Sequence, residues 1–141
     1  MKLEPSVKMF YTALEEGKIL AKRCGNCGYV EFPPKPACNA CGTHDMSWCE
    51  ISGRAEVKTV VMPSMMSARP YLKDLAGKEG YAFGEVEIEE GSAVNAVILG
   101  INKKNAADIE AKLAAGERVG CHAQIVERPE GYKTVFFQLD E

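Results

Sequence analysis

Two pairs of cysteines constrain this chain more than anything else in it. Cys24-Gly25-Asn26-Cys27-Gly28 and Cys38-Asn39-Ala40-Cys41-Gly42 repeat one pattern, C-x-x-C-G, with ten residues between Cys27 and Cys38. In each knuckle two sulfurs sit on one tight turn, and the glycine that follows lets backbone amides face them. Two such knuckles meeting make a tetrahedral four-sulfur site, which zinc adopts with bonds of about 2.3 Å. The spacing is shorter than the roughly 15–20 residues common in such ribbons, and a hairpin spans it. Soft thiolates also hold iron, which is therefore the second choice of metal. Protein sulfur fills all four positions, so the site is expected to be structural and closed to water or substrate. His44 follows the second knuckle, finds no vacant coordination position, and reads as a turn residue.

The flanking residues read as a ribbon. Residues 6 to 16 predict a short helix: Ser6 caps it, Val7, Phe10, Tyr11 and Leu14 form one apolar stripe, and Gly17 stops it. Glu15 and Glu16 oppose the dipole of its last turn, so this helix relies on docking more than on propensity. Lys18 to Arg23 leads into the first knuckle as a strand, Tyr29 to Phe32 alternates, and Pro33-Pro34-Lys35-Pro36 breaks the pairing. Trp48 to Ile51 closes the ribbon.

From Ser52-Gly53 the apolar period becomes two. Ala55–Met62, Tyr81–Ile88, Ser92–Ile101, Val119–Val126 and Lys133–Leu139 are the expected strands. One helix lies between the third and fourth, with Asn105 as its cap, Ile109 and Leu113 facing the core, and Gly116 as its end. Five strands with a helix in that place give the element order of an OB-fold barrel. The expected division is a helix over 1–17, a zinc ribbon over 18–52 and the barrel over 53–141. Pro63 to Gly80 is a long connection with adjacent methionines, Met65 and Met66.

Net charge is −3 and no segment is strongly basic, so the chain lacks the electrostatic footprint of a general nucleic-acid binder. Aromatic residues make up 8%, and most fall where the core would absorb them, leaving few for base stacking. A nucleic-acid-binding ribbon and OB module is the alternative reading. The N-terminus lacks the apolar run of a secretory leader, and no stretch nears the roughly 18 apolar residues that cross a bilayer. Reduced sulfur at the metal suits a reducing compartment, so a cytoplasmic protein is expected.

No catalytic constellation is evident. Neither a G-x-S-x-G elbow nor a phosphate loop is present. Cys121 adjoins His122, but neighbours on a strand point to opposite faces, so that imidazole cannot serve that thiol. Cys121 shares a face with Val119, Ala123 and Ile125 and reads as core, as does Cys49 beside Trp48. A free-standing acyl-CoA enzyme using Cys121 is a remote rival. Glu85, Glu87 and Glu89 form the outer face of a half-buried strand.

The helix, the run Gly17-Lys18-Ile19-Leu20-Ala21-Lys22-Arg23 into the first knuckle, Phe32-Pro33-Pro34, the second knuckle, Trp48 and Ser52-Gly53-Arg54 resemble the DUF35 proteins. These are rubredoxin-like zinc ribbons fused to an acyl-CoA-associated OB-fold. The resemblance implies a non-catalytic accessory subunit in a hetero-oligomer with a thiolase-superfamily enzyme, scaffolding or gating its acyl-CoA site. The system it resembles most is the benzoylsuccinyl-CoA thiolase of anaerobic toluene breakdown, in which such a chain is the small subunit. In this setting Arg54 and Arg69 are the candidates for contacts to coenzyme A phosphates.

Overall fold

The structure, a computed structural model, describes residues 5–62, 77, 80–127, 131 and 133–140, with side chains from Lys8 onward. Helix α1 spans Pro5–Glu15. The side chains of Ser6 and Val7, expected as cap and as the start of the apolar stripe, lie outside the described residues. The rest of the stripe forms: Leu14 is fully buried, and Phe10 and Tyr11 pack against the same core. The helix stops as expected, with the Gly17 and Lys18 amides donating to the Leu14 and Ala13 carbonyls and Gly17 at φ 82°. Its unfavourable last-turn Glu15 finds a cation elsewhere, Lys133 at 3.4 Å.

The ribbon is a three-stranded antiparallel sheet of β1 (Leu20–Cys24), β2 (Val30–Glu31) and β3 (Met46–Glu50), in the order β2-β1-β3. The expected strand from Tyr29 to Phe32 shrinks to two residues. The chain must turn out of the sheet at Pro33, which has no amide to donate, to reach the second knuckle.

The barrel is closed and five-stranded: β4 (Arg54–Val57), β5 (Tyr81–Ile88), β6 (Ala93–Leu99), β7 (Gly120–Glu127) and β8 (Lys133–Leu139), in the order β4-β5-β6-β8-β7. Helix α2 (Ala106–Ala114) lies between β6 and β7. Strand β6 meets β8 in parallel and β7 returns to β4, closing the OB-fold. One core cluster crosses all three parts, with Leu14, Ile19, Val30 and Phe32 packed with Val57, Val86, Ile98 and Phe137, and a smaller one of Tyr81, Leu99, Val126 and Phe136 lies in the barrel.

Two expectations are corrected here. The first strand ends at Val57 instead of running to Met62. Lys58 and Thr59 both donate to the Glu85 carbonyl, and pairing resumes only at Val61 opposite Phe83, displaced by one residue. This is a one-residue bulge, which bends a strand sharply enough to close a small barrel. Asn105 occupies the N-cap position of α2 without capping it. Its side chain turns back, accepting from the Asn102 amide at 2.8 Å and donating to the Gly100 carbonyl at 2.9 Å, and so pins the turn after β6.

Candidate metal centre

The two knuckles are built alike. Gly28 and Gly42 adopt φ of 79° and 82°, a region a side chain resists, and their amides donate back to the carbonyls of Cys24 and Cys38. Further bonds, Cys24 N–H to the Tyr29 carbonyl and Cys38 N–H to that of Thr43, close the turns at 2.8 Å each. The four sulfurs of Cys24, Cys27, Cys38 and Cys41 all lie within 4.8 Å of one another. The closest pairs are Cys24–Cys41 at 3.5 Å and Cys27–Cys38 at 3.6 Å. A tetrahedron with zinc–sulfur bonds of about 2.3 Å has edges of about 3.8 Å, so the cluster fits the ion.

Its electrostatics also call for a cation. Cys41 is drawn down to about 6, first by the Thr43 amide and then by the Asn26 side-chain amide. Cys27 is pushed up to about 12: the Tyr29 amide opposes this, but desolvation and the sulfurs of Cys24, Cys38 and Cys41 outweigh it. Four adjacent thiols cannot all ionise without a positive charge between them. A divalent metal removes that conflict and holds all four as thiolates. The amides of Asn26 and Cys27, each 3.4 Å from the Cys24 sulfur, and the Asn26 side chain, 3.6 Å from that of Cys41, then spread the negative charge. Cys24 and Cys38 are buried while Cys27 and Cys41 face solvent, so the site lies at the ribbon's edge, and its four protein thiolates leave a zinc ion no open position, as in a structural site. His44 is exposed and, among the described residues, only the four cysteines form the ligand cluster.

Some supporting residues carry no motif. Glu31 is almost fully buried, and its carboxylate accepts from the backbone and side-chain amides of Asn39 at 2.9 and 3.3 Å. This ties β2 to the second knuckle. The signal was a carboxylate in an alternating apolar stretch, which reads equally well as an exposed position.

The remaining candidates are placed as follows. Arg54 stands at the start of the barrel, bridged to Glu89 at 3.1 Å and largely exposed. Glu89 also accepts from the Ser52 hydroxyl at 2.6 Å, and these contacts hold its carboxyl below the usual range, Ser52 first and Arg54 second. Arg69 and most of the connection from Pro63 to Gly80 lie outside the described residues. Cys121 is buried, and that burial pushes its thiol up to about 12, the reverse of what a nucleophile needs. His122 points away from it and bonds Asp140 at 2.7 Å on the outer face. Glu85 and Glu87 are exposed as expected.

A groove of about 510 Å³ opens where α1, the ribbon and the barrel meet, lined by Phe10, Phe32, Phe83, Val97 and Phe136 among others. No single stretch announces it, because three separate elements supply its walls. Among the described residues, no helix is long and apolar enough to cross a membrane.

Residues 12–47 match the family described as ChsH2, rubredoxin-like zinc ribbon domain. No curated protein matches the chain. Among solved structures, the chain is similar to a protein described as Ltp2-ChsH2(DUF35) aldolase, with a TM-score of 0.66 at 19% identity, covering 99% of this chain and 98% of that one. It is also similar to a DUF35-family protein of unknown function from Sulfolobus solfataricus, with a TM-score of 0.55 at 15% identity, covering 96% of this chain and 86% of that one. At such identities the likeness establishes the fold, and the ribbon match adds the metal module. The chain thus joins a ChsH2-type zinc ribbon over residues 12–47 to the ribbon-and-barrel fold it shares with these two neighbours.

Proposed function

We infer that this chain is a non-catalytic accessory subunit of a thiolase- or aldolase-type acyl-CoA complex. The observation that carries this reading is the end-to-end likeness to a protein whose description joins a DUF35 chain to an aldolase. The chain's own chemistry agrees. Its metal site is closed by four thiolates, and its barrel cysteine is buried with a raised pKa.

The finer reading is a thiolase-superfamily partner, with acyl-CoA at the shared interface and thiolytic cleavage of benzoylsuccinyl-CoA as the specific reaction. In it, residues 1–17 dock, 18–52 form the ribbon and 53–141 the barrel. Arg54 and Arg69 are proposed for coenzyme A phosphates, and Arg54 would exchange Glu89 for phosphate on binding. The test is co-expression with the thiolase-type subunit of the same cell, followed by measurement of complex mass and thiolysis. Stable assembly with activity that needs both chains supports the reading. A partner fully active alone, with this chain free in solution, contradicts it. If Arg54→Ala leaves acyl-CoA affinity of the assembled complex unchanged, Arg54 has no part in phosphate binding. DNA or RNA binding that weakens steeply with salt would favour the nucleic-acid alternative instead.

A further inference from the structure

We propose that the open edge of β3 takes an acidic, extended segment of the partner protein, which pairs with it as a fourth strand of the ribbon sheet. The inference rests on the accessory-subunit reading above for the existence of that partner, and assigns the surface and the chemistry of the segment it holds.

The two outer strands of the ribbon differ. β2 has two residues, both buried, and Phe32 and then Pro33-Pro34 follow it. β3 has five, none of them proline, lysine or arginine, and nothing pairs with its outer side among the described residues. Short strands, prolines and edge charges are how sheets block unwanted pairing, so only one edge of this ribbon is guarded.

The register shows which groups are left open. The Ile51 amide donates to the Ile19 carbonyl, and the Gly25 amide to that of Asp45. Bonded pairs alternate along an antiparallel ladder, so Cys49–Ala21 and Ser47–Arg23 carry the bonds between β3 and β1. The amides and carbonyls of Trp48 and Glu50 therefore point away from β1, about 7 Å apart, with no partner among the described residues. Groups so spaced match the backbone of another extended chain.

Charge narrows the choice of segment. Lys22 on β1 reaches across to β3 and places its ammonium 4.7 Å from the centre of the Trp48 ring. Leu20, diagonal to Trp48 in the ladder, opens on a hollow of about 530 Å³ shared with Lys8, Met9, Ala13, Glu16 and Lys18. Among the described residues, Lys8, Lys18 and Lys22 have no carboxylate within ion-pair distance, whereas Arg54, Lys58, Arg118 and Lys133 of the barrel each have one. A strand carrying carboxylates on the Trp48 side of the sheet would meet these unpaired cations.

The experiment uses the zinc-loaded full chain, whose single tryptophan is Trp48. The probes are a capped seven-residue peptide alternating glutamate with valine, its counterpart with lysine for glutamate, and the complex purified from the chain's own cells. Binding is followed by Trp48 fluorescence and by amide hydrogen exchange. In the free chain the Trp48 and Glu50 amides should exchange at least about 100-fold faster than that of Cys49. The acidic peptide should bind saturably, at least about tenfold tighter than the basic one, and slow those two amides by about tenfold or more. The complex should slow them as well. Lys22→Glu should weaken the acidic peptide by about 3- to 10-fold. Glu50→Pro removes an outward amide and none of the ribbon's own bonds, so it should abolish peptide binding while zinc retention stays native.

No acidic-peptide binding at millimolar concentration, equal binding of the basic peptide, or unchanged exchange of the Trp48 and Glu50 amides in the complex would each overturn the proposal. So would a free chain that dimerises with those amides already protected, which makes the occupant a second copy. If a thiolase-type subunit assembles without protecting them, the accessory reading stands and the edge assignment fails. If the peptide result holds and no such subunit is recovered, the accessory reading fails and the edge assignment survives.

Discussion

Gly84 faces the bulge in β4, and a Cβ there would run into the Thr59 carbonyl. The bulge and the glycine are one feature: the strand can bend over β5 only where no side chain stands. Gly84→Ala should therefore destabilise the barrel by about 1–3 kcal/mol, read as a lowered urea midpoint with unchanged slope. At Cys121, burial keeps the thiol neutral in the folded chain well past its unfolded value of about 8.5. Because the folded pKa is raised, the stability this thiol contributes is complete below that value and falls as pH rises through it toward about 12. Denaturant titrations from pH 8 to 10 should show this loss in the native chain and a smaller one in Cys121→Ala. Glu89 has the opposite sign. Its folded pKa is depressed, so its contribution is complete above the unfolded value of about 4.3 and lost as pH falls below it, and Glu89→Gln should flatten that acid limb.

At the scale of elements, the joint between ribbon and barrel depends on a few polar contacts. The hydroxyl of Ser92, buried at the start of β6, donates to the Phe32 carbonyl and accepts from the Phe32 amide, both at 3.3 Å. Ser92→Ala leaves those backbone groups without partners and should cost about 1–3 kcal/mol, measured by thermal unfolding. Most elements were legible in advance. The knuckles declare themselves by spacing, and β5 and β8 by alternation, with the same bounds in sequence and structure. What was not legible depends on partners distant in the chain. The break in β4 is set by Glu85 and Gly84 across the sheet. Asn105 looked like a cap because capping is local, yet it bonds to the turn behind it. Glu31 holds the second knuckle only because the fold brings Asn39 over it. The groove needs α1, Phe32 and the β6–β8 seam at once, which no sequence window contains.

For the whole molecule, one core runs from α1 through the ribbon into the barrel, so metal loss should not stay local. Zinc ligation contributes on the order of 10 kcal/mol to the folding of small zinc modules. Cys38→Ser should lower metal retention by more than about 100-fold in chelator competition, and chelation of the native chain should lower the midpoint of a single transition instead of melting the ribbon alone. The central claim, that the chain serves a larger acyl-CoA enzyme, is tested most directly by affinity purification of the tagged chain from its own cells at high salt, with mass spectrometry and stoichiometry of what remains. The account predicts one thiolase-superfamily subunit at a fixed ratio, lost when Cys38→Ser removes the metal. Recovery of the chain alone, or with nucleic acid that survives the salt and no such enzyme, would contradict it.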